Sequence, residues 1–288
     1  MVKSIYKSPA GERAVKQRYQ EFLKYWPVPN EQLRVPTRAG ETFVIASGQP
    51  NAPPVVLLHG SGFNSVSWMG DVATWARNFR VYAVDIIGHP GLSAPTRPSY
   101  DSDAYAQWLD EVLASLGPGT FSVVGISLGG WIATDFAIRR PDRVERLVLL
   151  CPGGIGREKI SMLKLVLVIL PLLAFGSSGR RKAMQIMLGG EALSDNRAAR
   201  AIADFMSLIS RHFRHNLAKV RRFENEALRQ ITRPLLLIVG GRDAMIDSTE
   251  TRNRVATNIP SARIEYLPDA GHALFGYTQT VDKFLRGM

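Results

Sequence analysis

Short apolar runs bounded by glycine and proline recur along the chain and predict β-strands. They cover residues 42–46, 55–58, 81–84, 121–124, 147–150, 235–239 and 264–267. The runs are rich in Val, Leu and Ile and do not alternate with polar residues, so both faces of each strand should be covered. This pattern is typical of an α/β fold with a mostly parallel central sheet flanked by helices.

Residues 155–230 interrupt the series of strands and show helical periodicity instead. The apolar positions of the clearest repeat follow a candidate N-cap at Ser194 or Asp195, and they are Ile202, Phe205, Met206, Ile209 and Phe213. We therefore predict a helical lid at 155–230, inserted between the two parts of a core at 1–154 and 231–288.

The lid contains one long apolar stretch, residues 160–175. It includes Lys164 and Pro171 and is shorter than the about 20 residues that a membrane-spanning helix needs. We expect no stable membrane insertion. Peripheral contact with an anionic surface stays open, because Arg180, Arg181 and Lys182 follow the stretch.

Composition and charge narrow the class of protein. The single cysteine, Cys151, excludes an internal disulfide and a cysteine-rich zinc site. The N-terminus lacks the apolar region of a secretory signal, so a cytoplasmic location is expected.

Of the formal charge of +11, most lies in 155–230, which has 14 Lys and Arg against 6 Asp and Glu. That segment shows no nucleic-acid-binding motif, and we expect no nucleic-acid partner. Its positive field could steer anionic substrates.

The candidate nucleophile lies in the motif Gly125-Ile126-Ser127-Leu128-Gly129. The motif follows a predicted strand and precedes a predicted helix, and a serine on such a turn projects its hydroxyl at the carboxyl edge of the sheet. An ordinary glycine-rich turn would explain the motif alone. Its context and the presence of a candidate acid and base favour a nucleophile.

Serine needs a general base that is oriented by an acid. Asp243 and His272 each follow a predicted strand, which gives the chain order Ser127, Asp243, His272. Asp247 is the alternative acid, although its position before Ser248 and Thr249 favours a helix N-cap.

A tetrahedral oxyanion requires preorganised N–H donors. We expect these donors to be the backbone of Leu128 and of Ser61, which lies in the loop after the strand that ends at 58. His59, in the same loop, is expected to hold the loop's shape and not to act as the base.

Together the segments LLHGSG, VYAVDIIGHPGLS, GISLGG, RRPDRVERLVLLCP, GGRD and AGH resemble the α/β-hydrolase superfamily, in particular lidded bacterial carboxylesterases. The opening YQEFLKYWPVP and VPTRAGETFVIASG is similar to the bacillus carboxylesterase NP group, which hydrolyses esters of arylpropionic acids. The resemblance implies a lid after the sixth strand, the triad Ser127, Asp243 and His272, and oxyanion donors at Ser61 and Leu128.

One segment departs from the family's pattern. DIIGHPGLS has one residue more than the usual D-x-x-G-x-G-x-S, so the resemblance gives neither Asp85 nor Ser93 a catalytic role. We expect Asp85 to tie down a neighbouring loop.

The sequence thus predicts a serine carboxylesterase for small to medium apolar or aryl esters that needs no metal or cofactor, only water. The candidate aromatic residues of the substrate pocket are Phe63, Trp68, Trp131 and Phe205. A lactone, amide or C–C bond hydrolase with the same triad and a non-catalytic small-molecule receptor stay as alternatives. The sequence does not determine the oligomeric state.

Overall fold

The computed structural model describes residues 4–159, 179 and 197–288. The predictions for 160–175, for Arg180 to Lys182 and for the cap at Ser194 or Asp195 lie outside the described residues.

The described residues form one sheet of eight strands in the order β1-β2-β4-β3-β5-β6-β7-β8. The strands are β1 (Asn30–Val35), β2 (Thr42–Ser47), β3 (Pro54–Leu58), β4 (Arg80–Val84), β5 (Phe121–Ile126), β6 (Val144–Leu150), β7 (Leu235–Gly240) and β8 (Arg263–Leu267). From β4 to β8 all pairs are parallel, whereas β1 pairs antiparallel with β2, and β2 with β4. All seven predicted strands are confirmed, as is a mostly parallel sheet.

Helices cover both faces of the sheet. In the described residues they are α1 (Pro9–Leu23), α2 (Val72–Trp75), α3 (Ala104–Leu116), α4 (Leu128–Arg139), α5 (Arg197–His212), α6 (Asn225–Leu228), α7 (Ser248–Asn258) and α8 (Thr278–Leu285), with 3₁₀ turns at Ser65–Trp68 and Pro141–Arg143. The predicted helical repeat around Phe205 corresponds to α5, although Phe213 lies just beyond the end of that helix.

The core consists of two apolar clusters, one on each face of the sheet. Along β3, Val55 and Leu57 belong to the cluster that includes residues of α1, α2, α5 and α8, while Val56 and Leu58 belong to the cluster that includes residues of α3 and α4. Because successive side chains of a strand point to opposite faces, a strand buried on both sides must be apolar throughout. This is the physical reason for the continuous apolar runs.

The N-terminal segment is bound to the chain that follows α5. Lys7 N donates to His212 O (2.8 Å) and Arg214 N donates to Ile5 O (2.8 Å). On the same side of the molecule α1 packs against α5, where Phe205 stacks on Tyr19 at a ring-centroid distance of 6.4 Å.

None of the helices formed by the described residues is both long enough and apolar enough to cross a membrane.

Candidate active site

Ser127 occupies a sharp turn between β5 and α4. Its φ of 52° lies in the left-handed region, which non-glycine residues seldom adopt and which costs conformational energy. The surrounding backbone holds the turn in place: Ser127 N donates to Leu150 O (2.9 Å), and Ser127 O accepts hydrogen bonds from Trp131 N and Gly153 N (both 3.0 Å). The strand-to-helix turn predicted from the sequence is present.

The glycines of the motif allow the backbone to approach closely. A Cβ on Gly125 would overlap the carbonyl oxygen of Gly129, and a Cβ on Gly129 would overlap that of Leu58. Any side chain at either position would push α4 away from β3 and β5, so the turn requires glycine on both sides of the Ile126-Ser127-Leu128 segment.

Asp243 and His272 meet at the carboxyl edge of the sheet, just beyond β7 and β8. Asp243 Oδ2 lies 2.7 Å from His272 Nδ1, while Oδ1 accepts from the N–H groups of Met245 (2.7 Å) and Ile246 (3.0 Å). Burial alone would raise the pKa of Asp243, but the hydrogen bonds from His272 and from these two N–H groups hold it below its ordinary value. The carboxylate therefore stays ionised and keeps a proton on His272 Nδ1, which leaves Nε2 as the acceptor.

Asp247, the alternative acid, has a different role. Its side chain caps the N-terminus of α7 by accepting from Glu250 N (2.9 Å). The structure thus places Asp243 against His272 and places Asp247 at the helix N-cap.

The loop after β3, residues 59–65, lies beside Ser127 and is called the oxyanion loop below. A Cβ placed on Gly60 would lie 3.7 Å from Ser127 Cβ. In the described part of the chain, no group accepts a hydrogen bond from Ser61 N. Leu128 is the first residue of α4, where the N–H has no acceptor within the helix. Both candidate donors are thus unused by the rest of the described fold.

His59 and Asp85 hold loops in place, as the sequence predicted. His59 Nε2 accepts from Ile86 N (2.9 Å), and Nδ1 donates to Gly60 O (2.8 Å). Asp85 accepts from Ser65 N (3.0 Å) and from Leu92 N (2.9 Å), so its carboxylate links two loops.

The four candidate pocket aromatics do not form one group. Phe63 and Phe205 approach each other with ring centroids 5.9 Å apart, and Trp68 belongs to the same apolar cluster. Trp131 lies in the other cluster, where it stacks on Phe223 and donates its indole N–H to Arg221 O (2.8 Å). Trp68, Trp131 and Phe205 are fully buried, whereas Phe63 is partly exposed.

The single cysteine lies next to the Asp243–His272 pair, which the sequence analysis did not anticipate. Among the described residues, the donor atoms of Cys151, Asp243 and His272 all lie within 4.8 Å of one another and could in principle hold a metal ion. Burial, together with the Asp243 charge, raises the pKa of the Cys151 thiol well above its usual range, so the thiolate that binds metals is disfavoured. The sequence did contain a sign of this proximity, because Cys151 follows the end of β6, the strand that pairs with β7.

The fold and this arrangement of side chains define the class of protein to which the chain belongs. Residues 55–284 match the model of the Alpha/beta hydrolase family, and the chain belongs to that family. The relatives narrow the class: the chain is 31% identical over 281 residues to carboxylesterase YbfK of Bacillus subtilis (strain 168), with 90% of this chain and 87% of the relative covered. It is a hydrolase of the carboxylesterase type.

Solved structures agree with this classification. The crystal structure of carboxylesterase CesB (YbfK) from Bacillus subtilis superposes with a TM-score of 0.82 at 29% identity, covering 97% of this chain and 99% of that one. That of naproxen esterase (carboxylesterase NP) from the same organism gives a TM-score of 0.78 at 29% identity, covering 94% and 95%. The resemblance to this group of carboxylesterases is confirmed.

Proposed function

We propose that the chain hydrolyses carboxylic esters through an acyl-enzyme formed on Ser127. The 2.7 Å contact between Asp243 and His272, at the same edge of the sheet as the strained Ser127 turn, carries the proposal. An ionised acid that is hydrogen-bonded to a histidine, near a serine on a strand-to-helix turn, is the arrangement that activates a serine hydroxyl.

In this mechanism His272 Nε2 takes the proton of Ser127 Oγ as the oxygen attacks the ester carbonyl. The tetrahedral oxyanion accepts hydrogen bonds from the N–H groups of Ser61 and Leu128, and one such donor is worth about 10²- to 10³-fold in kcat. His272 then gives its proton to the leaving alcohol. A water molecule, deprotonated by the same nitrogen, releases the acid and restores Ser127.

We assign small to medium apolar or aryl esters as substrates. Phe63 directly follows the Ser61-Gly62 segment, and its ring contacts Phe205 and is partly exposed. Aromatic rings next to an oxyanion site favour an apolar or aromatic acid group. The similarity to naproxen esterase supports the same class, so 2-arylpropionate esters belong in the first substrate panel.

We also propose that residues 155–230 form a lid on a core made of 1–154 and 231–288. The two ends of this segment meet: Phe223 N donates to Gly154 O (2.8 Å), and Arg254 of α7 donates to Phe223 O (2.7 Å) and to Ile155 O. A segment that leaves and rejoins the core at one place is an insertion. This segment contacts the oxyanion loop through the ring of Phe205 on α5, which lies against Phe63.

The test is time-resolved hydrolysis of p-nitrophenyl acetate, butyrate and octanoate and of a 2-arylpropionate ester by the wild type and Ser127→Ala. A burst of p-nitrophenol equal to the enzyme concentration, followed by slower turnover, is expected for the wild type, and loss of both for the variant. A Ser127→Ala protein that keeps wild-type turnover would contradict the mechanism. Turnover of none of these four esters by the wild type would contradict the substrate class.

A further inference from the structure

The oxyanion loop is fastened along its length to the segment that follows β4, residues 85–93. Gly62 N donates to His89 Nδ1 (3.0 Å), Asn64 Nδ2 donates to Pro90 O (2.7 Å), and Ser65 Oγ donates to Asp85 Oδ1 (2.7 Å). The contact to His89 is the one that lies nearest to Ser61 along the chain.

The Gly62 N–H belongs to the peptide group that joins Ser61 to Gly62. A hydrogen bond to this N–H fixes the plane of the peptide and so restricts rotation about the neighbouring Ser61 backbone bond, which determines where Ser61 N–H points. Gly62 itself has a φ of +71°, which other residues adopt with strain. Because glycine also populates many other conformations, the hydrogen bond to its N–H helps to hold this one.

His89 suits this task because it is fully enclosed and neutral. Burial, with smaller effects of the neighbouring His59, Arg97 and His215, holds the pKa of His89 well below its usual range. A neutral imidazole that accepts at Nδ1 carries its proton on Nε2, so the acceptor faces Gly62. The same segment also accepts a hydrogen bond from Arg97, whose Nε donates to Gly88 O (3.1 Å).

We propose that His89 is a positioning residue of the ester hydrolysis: through Gly62 N it sets the direction of the Ser61 N–H that receives the oxyanion. His89 takes no part in proton transfer, which belongs to His272. The proposal rests on the assignment of Ser61 as an oxyanion donor.

The test compares His89→Asn with His89→Phe. The amide oxygen of Asn can replace Nδ1 as the acceptor, whereas Phe keeps a ring but offers no acceptor. For His89→Phe we expect kcat to fall about 10- to 100-fold with KM within about 3-fold, since a misdirected donor loses part of its 10²- to 10³-fold contribution. His89→Asn should stay within about 5-fold of the wild type. His212→Asn, at a partly exposed histidine whose ring lies against Gly11, is the control and should match the wild type.

A second measurement separates positioning from general loss of structure. The affinity of each variant is measured for a trifluoromethyl ketone, which forms a tetrahedral adduct, and for the product alcohol, which offers no acyl oxygen to the N–H donors. The proposal predicts that His89→Phe weakens binding of the ketone by the same factor as kcat/KM and leaves binding of the product alcohol within about 3-fold. If His89→Phe does not fold, His89→Gln replaces it in the test. The amide oxygen of Gln is displaced from the position of Nδ1, so the same fall in kcat is expected.

Three results would overturn the proposal. They are wild-type kcat in His89→Phe, an equal loss of kcat in His89→Asn, and parallel weakening of binding of the ketone and the product alcohol. Failure of the underlying mechanism looks different. Ser127→Ala would then keep turnover, whatever the His89 variants do.

Discussion

The 2.7 Å contact between Asp243 and His272 determines what each of these two residues can do at neutral pH. The lowered pKa of Asp243 keeps the carboxylate charged, and the charge holds the imidazole in the tautomer with an acceptor at Nε2. A second buried histidine, His89, accepts from Gly62 N in the oxyanion loop. The hydrogen-bond partner of each imidazole thus determines which of its nitrogens is the acceptor.

Asp243→Asn is expected to lower kcat by about 10³- to 10⁴-fold, because an amide that donates to His272 favours the wrong tautomer. KM should change little. Steady-state kinetics on p-nitrophenyl butyrate measures both.

The control is Asp247→Asn, four residues further along the same segment. Asn caps a helix about as well as Asp, so both the stability and kcat of this variant should match the wild type. A large loss of activity in Asp247→Asn together with an active Asp243→Asn would reverse the assignment of the acid.

At the scale of elements, the turn between β5 and α4 depends on close backbone packing. Gly129→Ala would place a methyl group into the carbonyl of Leu58, and because the obstacle is backbone, α4 must move. We expect a loss of about 2–4 kcal/mol in the free energy of unfolding, measured by urea denaturation. Gly70→Ala, where nothing lies within 4 Å of the added carbon, should change it by less than about 0.5 kcal/mol. Similar losses in the two variants would refute this packing argument.

The side chain of Arg254 on α7 contacts both ends of segment 155–230, beside the ion pairs that Glu250 of the same helix makes with Arg157 and Arg222. In Arg254→Gln the bonds to Ile155 O and Phe223 O weaken, while the sheet is untouched. Limited proteolysis should therefore cut the variant within 155–230 several-fold faster than the wild type. Arg252→Gln, on the same helix with its side chain over the Tyr266 ring, should be cut at the wild-type rate. Equal rates in all three proteins would argue against Arg254 as the anchor.

Elements that are buried on both faces could be predicted from the sequence, and one exposed element could not. The seven predicted strands are continuous apolar runs, whereas β1 (Asn30–Val35) is mostly exposed and carries polar residues at the sheet's antiparallel edge. Such an edge strand is stabilised by backbone pairing to β2, which leaves little trace in composition.

In the candidate active site, too, some residues could be predicted from the sequence and others could not. Ser127, Asp243 and His272 follow strand ends, so the topology of a parallel sheet already brings their segments to one edge. The contact of His89 with Gly62 arises between two loops, and no periodic pattern specifies how loops meet. Trp131 was grouped with Phe63 and Phe205 by residue type alone. It lies on α4, which packs on one face of the sheet, whereas Phe63 of the oxyanion loop and Phe205 of α5 belong to the cluster on the other face.

At the scale of the whole molecule, buried neutral histidines couple stability to pH. Burial lowers the pKa of His59, of His89 and, with the charges of Lys7 and Arg97, of His215, the last to about 4. Between pH 6.5 and 4 the unfolded chain therefore binds more protons than the folded one, and the free energy of unfolding falls as the pH falls.

His215→Asn should remove the one proton that His215 binds in the unfolded chain but not in the folded chain. Its free energy of unfolding should fall less steeply than that of the wild type between pH 6.5 and 4, by up to about 1.4 kcal/mol per pH unit. Urea denaturation at half-unit pH steps measures the slopes, with His212→Asn as the control. Identical slopes in the wild type and His215→Asn would show that His215 is not held neutral in the folded state.

Covalent labelling tests the central claim, that Ser127 is the nucleophile, most directly. The wild type and Ser127→Ala are each treated with a p-nitrophenyl alkylphosphonate, and intact mass and peptide mapping follow. The mechanism predicts one adduct per wild-type chain, on the peptide containing Ser127, with release of one p-nitrophenol and loss of esterase activity, and no adduct on Ser127→Ala. An adduct on another residue that abolishes activity, or equal labelling of the variant, would contradict it.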